Sequence, residues 1–277
     1  MAIGRSSTHA KIGACALAVA LALGGCSRRA GEPTRPAGAP VPVGAASLSP
    51  EVRGLTLLVV GDSWARNLGV GAADADRDRR NVVVNAGEPG CGLMQPVRIR
   101  RQGRMIAAPA ECNRWPSRWH DLVTRYRPTA ALLEVGYWDG QDSQQLPGQK
   151  DVSSITAPGF RHRFDTQIDR AIGILSAGGA TVYLPTVIDN DETSRANSDA
   201  MNAAIHAAVT RNPHASLLDL HGQLCTAAKV CPRKAAGIQV YDDTGHPSGA
   251  AHDRLGSWIL NFIHADLSNR GKNGGSS

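Results

Sequence analysis

Between residues 53 and 267, short apolar runs alternate with stretches whose apolar positions recur at helical spacing. Leu55 to Val60 is apolar at every position but Thr56, and reads as a buried strand ended by Gly61. Val82 to Val84 reads as a second strand, Ala130 to Val135 as a third and Thr181 to Leu184 as a fourth. Leu217 and Leu218 sit in a weaker fifth. Phe160, Phe164, Ile168, Ile172 and Leu175 predict a helix over Phe160 to Ala177. Ser198 to Val209 and Ala250 to Ile263 read as further helices. Continuous apolar strands separated by helices imply an α/β domain, with a parallel sheet covered on both faces. Ligands of such sheets bind beyond the carboxyl ends of the strands, so the chemistry is expected just after each strand.

The flanks read differently. Arg5 and Lys11 precede an apolar run from Ile12 to Leu23, too short for a comfortable membrane span, and small residues lead to Cys26. Residues 1–25 are therefore expected to be a lipoprotein signal peptide. Leu23 to Cys26 resembles a bacterial lipobox, in which Cys26 is lipidated; an ordinary cleavage site beside an incidental cysteine is the alternative. Residues 26–52, rich in Ala, Gly, Pro and Arg, read as a flexible tether. The domain is expected over 53–268, with a frayed, disordered tail over 269–277. The expected location is outside the bacterial plasma membrane, lipid-anchored in the envelope.

Composition narrows the functions. Hydrophobic residues at 42% and charged residues at 19% fit a globular chain. Aromatics at 4% are too few for a broad stacking platform for single strands. The +6 charge falls to +4 once Arg5 and Lys11 leave with the leader, too mild to argue for nucleic acid. Cys91, Cys112, Cys225 and Cys231 remain beside the leader and anchor cysteines, an even number that suggests two disulfides. Of the three pairings, the local one is simplest: Cys91 with Cys112, and Cys225 with Cys231. A zinc site is the rival reading, but the close Cys-x-x-Cys spacing is absent.

Two segments after strands carry candidate chemistry. Gly61, Asp62, Ser63 and Trp64 follow the first strand, where a serine on a sharp strand-to-helix turn presents its hydroxyl. Alone, the segment is equally a helix cap. Near the carboxyl end, Asp243 stands three residues before His246, and such a carboxylate can fix the tautomer that leaves Nε2 free to take a serine proton. Asp242 and His252 are nearby alternatives.

Together these segments resemble the SGNH (GDSL-type) hydrolase family, with similarity across most of residues 55 to 260. The resemblance implies a three-layer α/β/α fold with a flavodoxin-like parallel sheet of about five strands. It implies a Ser63-His246-Asp243 triad. Asn85 to Gly90 matches the family's second block, with Gly90 as oxyanion donor beside the Ser63 N–H, and Gly87 as the alternative. The third block departs: Gly136-Tyr137-Trp138-Asp139 places Trp138 where the family carries an asparagine. Trp138 then replaces the donor, or walls the acyl or sugar pocket, or leaves the site to backbone N–H groups alone. Asn202 matches a position in a family helix and is assigned to packing.

Trp138 and the paired cysteines look closer to SGNH domains that work with membrane acyltransferases modifying cell-surface polysaccharides. That branch implies a serine acyl-esterase or O-acyltransferase for acetyl or other short-chain esters of envelope glycans or glycolipids. A membrane acyltransferase is the implied protein partner; no metal or organic cofactor is implied. Residues 91 to 119 read as a long irregular loop that either shapes a glycan cleft or is solvated surface. Trp64, Trp138, Asp139, Arg101 and Trp115 are the expected substrate contacts. The alternative function is a non-catalytic glycan-binding lipoprotein with a degenerate site.

Overall fold

Alternation along each strand sets the architecture. In the computed structural model, which describes residues 41–43, 54–78, 80–101, 103–141, 143–189, 193–225, 231–235, 237–242, 245–247 and 249–274, six strands form one central sheet and the other five form two small sheets. The expected signal peptide, Cys26 and Asp243 lie outside the described residues. The elements in order are β1 (Val41–Val43), β2 (Thr56–Gly61), α1 (Ser63–Ala75), β3 (Val82–Asn85), β4 (Arg98–Arg101) and β5 (Arg104–Ala107). A 3-10 turn (Ala110–Arg114) leads to α2 (Trp115–Tyr126), β6 (Ala130–Glu134), α3 (Tyr137–Gly140), β7 (Gln144–Gln145), α4 (Pro158–Ser176) and β8 (Thr181–Pro185). Then come α5 (Arg195–Arg211), β9 (Ala215–Leu218), α6 (Leu220–Cys225), β10 (Lys234–Ala235), β11 (Ile238–Gln239) and α7 (Ala250–Gly274).

The main sheet runs β1-β3-β2-β6-β8-β9. Five strands are parallel, and β1 joins the β3 edge antiparallel, with Val41 opposite Asn85. Counting the parallel strands in chain order gives 2-1-3-4-5, the flavodoxin-like order, with its switch point beside β2. Each face of the sheet buries its own core. Leu58, Val60, Leu133, Val182 and Leu184 meet Trp115, Phe160, Phe164, Ile168 and Ile205 from α2, α4 and α5. Leu57, Val59, Val83, Leu132 and Tyr183 meet Leu68, Leu255, Ile259 and Ile263 from α1 and α7. Helices α1 and α7 approach closely because both contact points are glycine. A Cβ on Gly256 would lie 1.9 Å from the Gly71 carbonyl oxygen.

All five expected strands and three expected helices are present, and three segments differ from expectation. Part of the tether, Val41–Val43, is a sheet strand. The 91–119 segment is structured: β4 pairs with β5 and β7, and α2 begins at Trp115. Helix α7 continues to Gly274, past residue 268 where the domain was expected to end. Arg270 pairs with Asp266 one turn back, and Ser268 Oγ donates to the His264 carbonyl, so polar side chains sustain the extension.

Candidate active site

Strand β2 ends at Gly61, whose φ of +133° only glycine adopts without strain, and a Cβ there would meet the Glu134 carbonyl oxygen at 1.8 Å. Asp62 caps α1, its Oδ1 accepting from the Trp64 N–H at 2.7 Å. Ser63 is thus the first residue of the helix, at the carboxyl end of β2. Three N–H groups of that turn have acceptors: Trp64 donates to Asp62 Oδ1, Arg66 to the Asp62 carbonyl, and Ala65 to the Glu134 carboxyl. The Ser63 N–H has none among the described residues. It is an orphan helix donor beside its own hydroxyl.

The imidazole of His246 comes from a turn 183 residues away. His246 Nε2 lies 2.7 Å from Ser63 Oγ, within hydrogen-bond distance. The turn is held by Asp242, whose N–H donates to the His246 carbonyl at 2.9 Å and whose Oδ1 accepts from the His246 N–H at 3.3 Å. Tyr137 lies beside the imidazole, with ring centroids 6.3 Å apart. His252, weighed as an alternative, pairs instead with Asn67 Oδ1 at 3.2 Å.

Beneath Ser63, Asp62 and Glu134 are both buried, and each affects the other's ionisation. Burial pushes Asp62 up to about 6, against a hydrogen bond from Glu134, the Trp64 N–H and the attraction of His246. Burial and the neighbouring Asp62 raise Glu134 well above the ordinary range. Glu134 therefore holds its proton and Asp62 carries the charge. That charge sits at the positive end of α1.

The second block forms a turn packed against Arg66 in the first turn of α1. Asn85 Nδ2 donates to the Arg66 carbonyl, and its Oδ1 accepts from the Gly87 N–H at 3.3 Å. Gly87, the alternative oxyanion donor, thus already has an acceptor. Glu88 N–H donates to the Gly61 carbonyl, and Cys91 N–H to the Glu88 carbonyl, which leaves Gly90 at φ +85° in the intervening turn. Cys91 is bonded to Cys112, and Cys225 to Cys231, the expected pairing.

The expected substrate contacts separate into two groups. Trp138 is half-buried, its indole Nε1–H has no acceptor among the described residues, and its ring lines a recess with Gly90, Met94 and Ile99. Three others have inward placements. Trp64 is 2% exposed and packs in the α1–α7 core. Asp139 is wholly buried, accepting from the Leu93 and Met94 N–H groups at 2.7 and 3.1 Å and from Gln144 Nε2 at 3.0 Å. It anchors the chain after the Gly90 turn. Trp115 is buried, and its Nε1 donates to the Leu93 carbonyl at 3.0 Å. Arg101 ends β4, and its side chain lies outside the described residues.

Two residues at the site were missed from the sequence. Arg118 pairs with Glu88 at a cavity lined also by Gly61, Gly92 and Trp119. A helix through Trp115 and Trp119 with Pro116 in its first turn was the available signal. Glu134 stood in the third strand but carried no local mark of its pairing. Asn202 clamps Val187 after β8, its Oδ1 accepting from the Val187 N–H and its Nδ2 donating to the Val187 carbonyl. That is the packing role expected for it.

A serine at the switch point, an imidazole in contact with its hydroxyl and a flavodoxin-like sheet define the SGNH hydrolase fold class. The chain belongs to the family described as "Protein of unknown function (DUF459)", which matches residues 56–230. The match ends before the His246 turn. No curated protein matches the sequence. Among solved structures, the periplasmic domain of the Salmonella ser. Paratyphi A lipopolysaccharide acetyltransferase is 12% identical, with a TM-score of 0.51 over 76% of this chain and 84% of that one. The psychrotrophic esterase EstA from Pseudoalteromonas sp. is 16% identical, with a TM-score of 0.49 over 77% of this chain and 98% of that one. TesA is 21% identical, with a TM-score of 0.45 over 74% of this chain and 97% of that one.

Proposed function

We propose that the chain is a serine acyl-esterase or O-acyltransferase acting on short-chain acyl esters of cell-envelope glycans or glycolipids, exported and held at the envelope by a lipid on Cys26. The 2.7 Å approach of His246 Nε2 to Ser63 Oγ carries the reading. A serine hydroxyl becomes a nucleophile when a base accepts its proton in the attack. Ser63 Oγ adds to the acyl carbonyl as its proton passes to Nε2. The orphan Ser63 N–H and the Gly90 N–H receive the developing oxyanion, and the buried, unpartnered Trp138 indole N–H is assigned as a third donor that substrate entry must uncover. His246 then protonates the leaving alcohol, and water or a sugar hydroxyl releases the acyl group. Asp243 is assigned to orienting the imidazole, as in the family. The Asp62 charge adds to its stabilisation as imidazolium.

A glycan acceptor accords with the name of the acetyltransferase domain that shares the fold. A fluorophosphonate probe tests the serine. Labelling is expected in the native chain, absent in Ser63→Ala and strongly reduced in His246→Ala. No labelling under conditions that label a control esterase would favour the non-catalytic binding reading. With an activated acetyl donor and oligosaccharide acceptors, acetylated glycan marks a transferase and free acetate alone an esterase. Cys26→Ala is expected to move the protein from the membrane to the soluble fraction; unchanged membrane association would overturn the tether.

A further inference from the structure

Beyond the carboxyl ends of β8 and β9, four potential metal ligands converge. Asp189 follows β8, His221 and Cys225 lie on α6, and Cys231 follows it. One ligand atom from each falls within 4.8 Å of all the others. His221 and Cys225 are four residues apart and so share one helix face. Asp189 Oδ1 lies 3.2 Å from Cys231 Sγ and 3.6 Å from His221 Nε2. The helix start is fixed: the His221 N–H donates to Thr186 Oγ1 at 2.7 Å, and Thr186 Oγ1 donates to Asp219 Oδ1 at 3.1 Å.

The disulfide leaves this cluster unbalanced. The Asp189 side chain is 3% exposed, and its Oδ2 is buried with no hydrogen-bond partner among the described residues. A disulfide sulfur offers its carboxylate no proton. A buried carboxylate oxygen without a donor is costly, and a cation or a thiol proton in contact would relieve the cost. Two thiolates, one imidazole and one carboxylate are a tetrahedral zinc donor set.

We propose that Asp189, His221, Cys225 and Cys231 form a zinc site in the reduced protein, and that the Cys225–Cys231 disulfide is its oxidised, metal-free form. A dithiol reductant supplies two electrons and two protons, becomes a disulfide itself and leaves two thiols. Zinc binding then displaces both thiol protons to solvent. The sulfurs part to roughly 3.8 Å, the separation set by tetrahedral zinc–sulfur bonds of about 2.3 Å. Two thiolates and a carboxylate leave the site at −1 with zinc. Arg195 Nη1, 3.9 Å from Asp189 Oδ1, offsets that charge. The His221 side chain is 25% exposed, which gives the ion an entry path. Sequence spacing concealed the set, because Cys225 and Cys231 do not form a Cys-x-x-Cys pair and Asp189 comes from the end of a separate strand. The site also abuts the imidazole turn: Tyr241 Oη donates to the Cys231 carbonyl at 3.1 Å, and Tyr241 immediately precedes Asp242.

The test is metal uptake and thiol protection in the full chain, independent of any esterase activity. The chain is reduced with a phosphine and freed of reductant without oxygen. One equivalent of Co²⁺ is expected to give tetrahedral d–d absorption and a thiolate charge-transfer band. Zinc is expected to slow alkylation of Cys225 and Cys231 about tenfold or more, while Cys91 and Cys112 in the same sample react unchanged. His221→Ala and Asp189→Asn are expected to weaken that protection by about tenfold or more. Equal alkylation with and without zinc in the native sequence overturns the proposal. So does protection indifferent to both substitutions.

Discussion

The acid pair beneath Ser63 makes stability depend on pH in a stated direction. Asp62 ionises near 6 in the folded chain, against 3.8 ordinarily. The native state therefore binds that proton more tightly than the unfolded chain does. The associated stability is full below about pH 4 and is lost as pH rises through about 6. A shift of this size corresponds to roughly 3 kcal/mol. Urea midpoints are expected to fall across that interval. Glu134→Gln keeps a donor to Asp62 and leaves its burial unchanged, so the fall through about pH 6 should persist; its disappearance would assign the titration to Glu134 instead. Trp138 is a separate test of the oxyanion site. Trp138→Phe keeps the ring and deletes the N–H, and kcat is expected to drop about 10²-fold with KM little changed. A rise in KM alone would make the indole a substrate wall instead.

At the scale of elements, Asp139 shows how a buried side chain can pass for a ligand in sequence. Its place in the third block suggested substrate, yet it ties the 91–94 chain to α3. Asp139→Ala leaves the Leu93 and Met94 N–H groups buried without acceptors, and should cost about 2–5 kcal/mol in urea unfolding. A loss under about 0.5 kcal/mol would mean the turn holds without it. The five parallel strands were legible because apolar runs bounded by turns mark strands sealed on both faces. Helix α2 was not read, although Trp115, Trp119, Leu122 and Val123 carry its spacing; residues 91–119 were expected to be an irregular loop. Hairpin β4–β5 was not legible. Arg98, Arg100 and Arg104 put charge where a strand ordinarily alternates, and only pairing across the turn reveals it.

At the scale of the molecule, the sheet order and the meeting of Ser63 with His246 depend on crossovers, which leave no local mark. The family resemblance supplied both, whereas the Asp62–Glu134 contact joins the ends of the neighbouring strands β2 and β6 and was left unread. Long-range ties also decide how the site survives stress. The Cys91–Cys112 bond spans a separation of 21 residues and joins the Gly90 turn to the 3-10 turn that leads into α2. Closing such a loop is worth about 3 kcal/mol by restricting the unfolded chain. The same bond holds one wall of the Gly90 turn, proposed as an oxyanion donor, so its loss is expected to act on the site as well as on stability. Cys91→Ala with Cys112→Ala is expected to lower the unfolding free energy by about 3 kcal/mol and to reduce kcat even at temperatures where the variant is fully folded. Were only stability to fall, with kcat per folded molecule unchanged, the bond would be a staple on the fold and the Gly90 turn would be held by Asp139 and Asn85 alone.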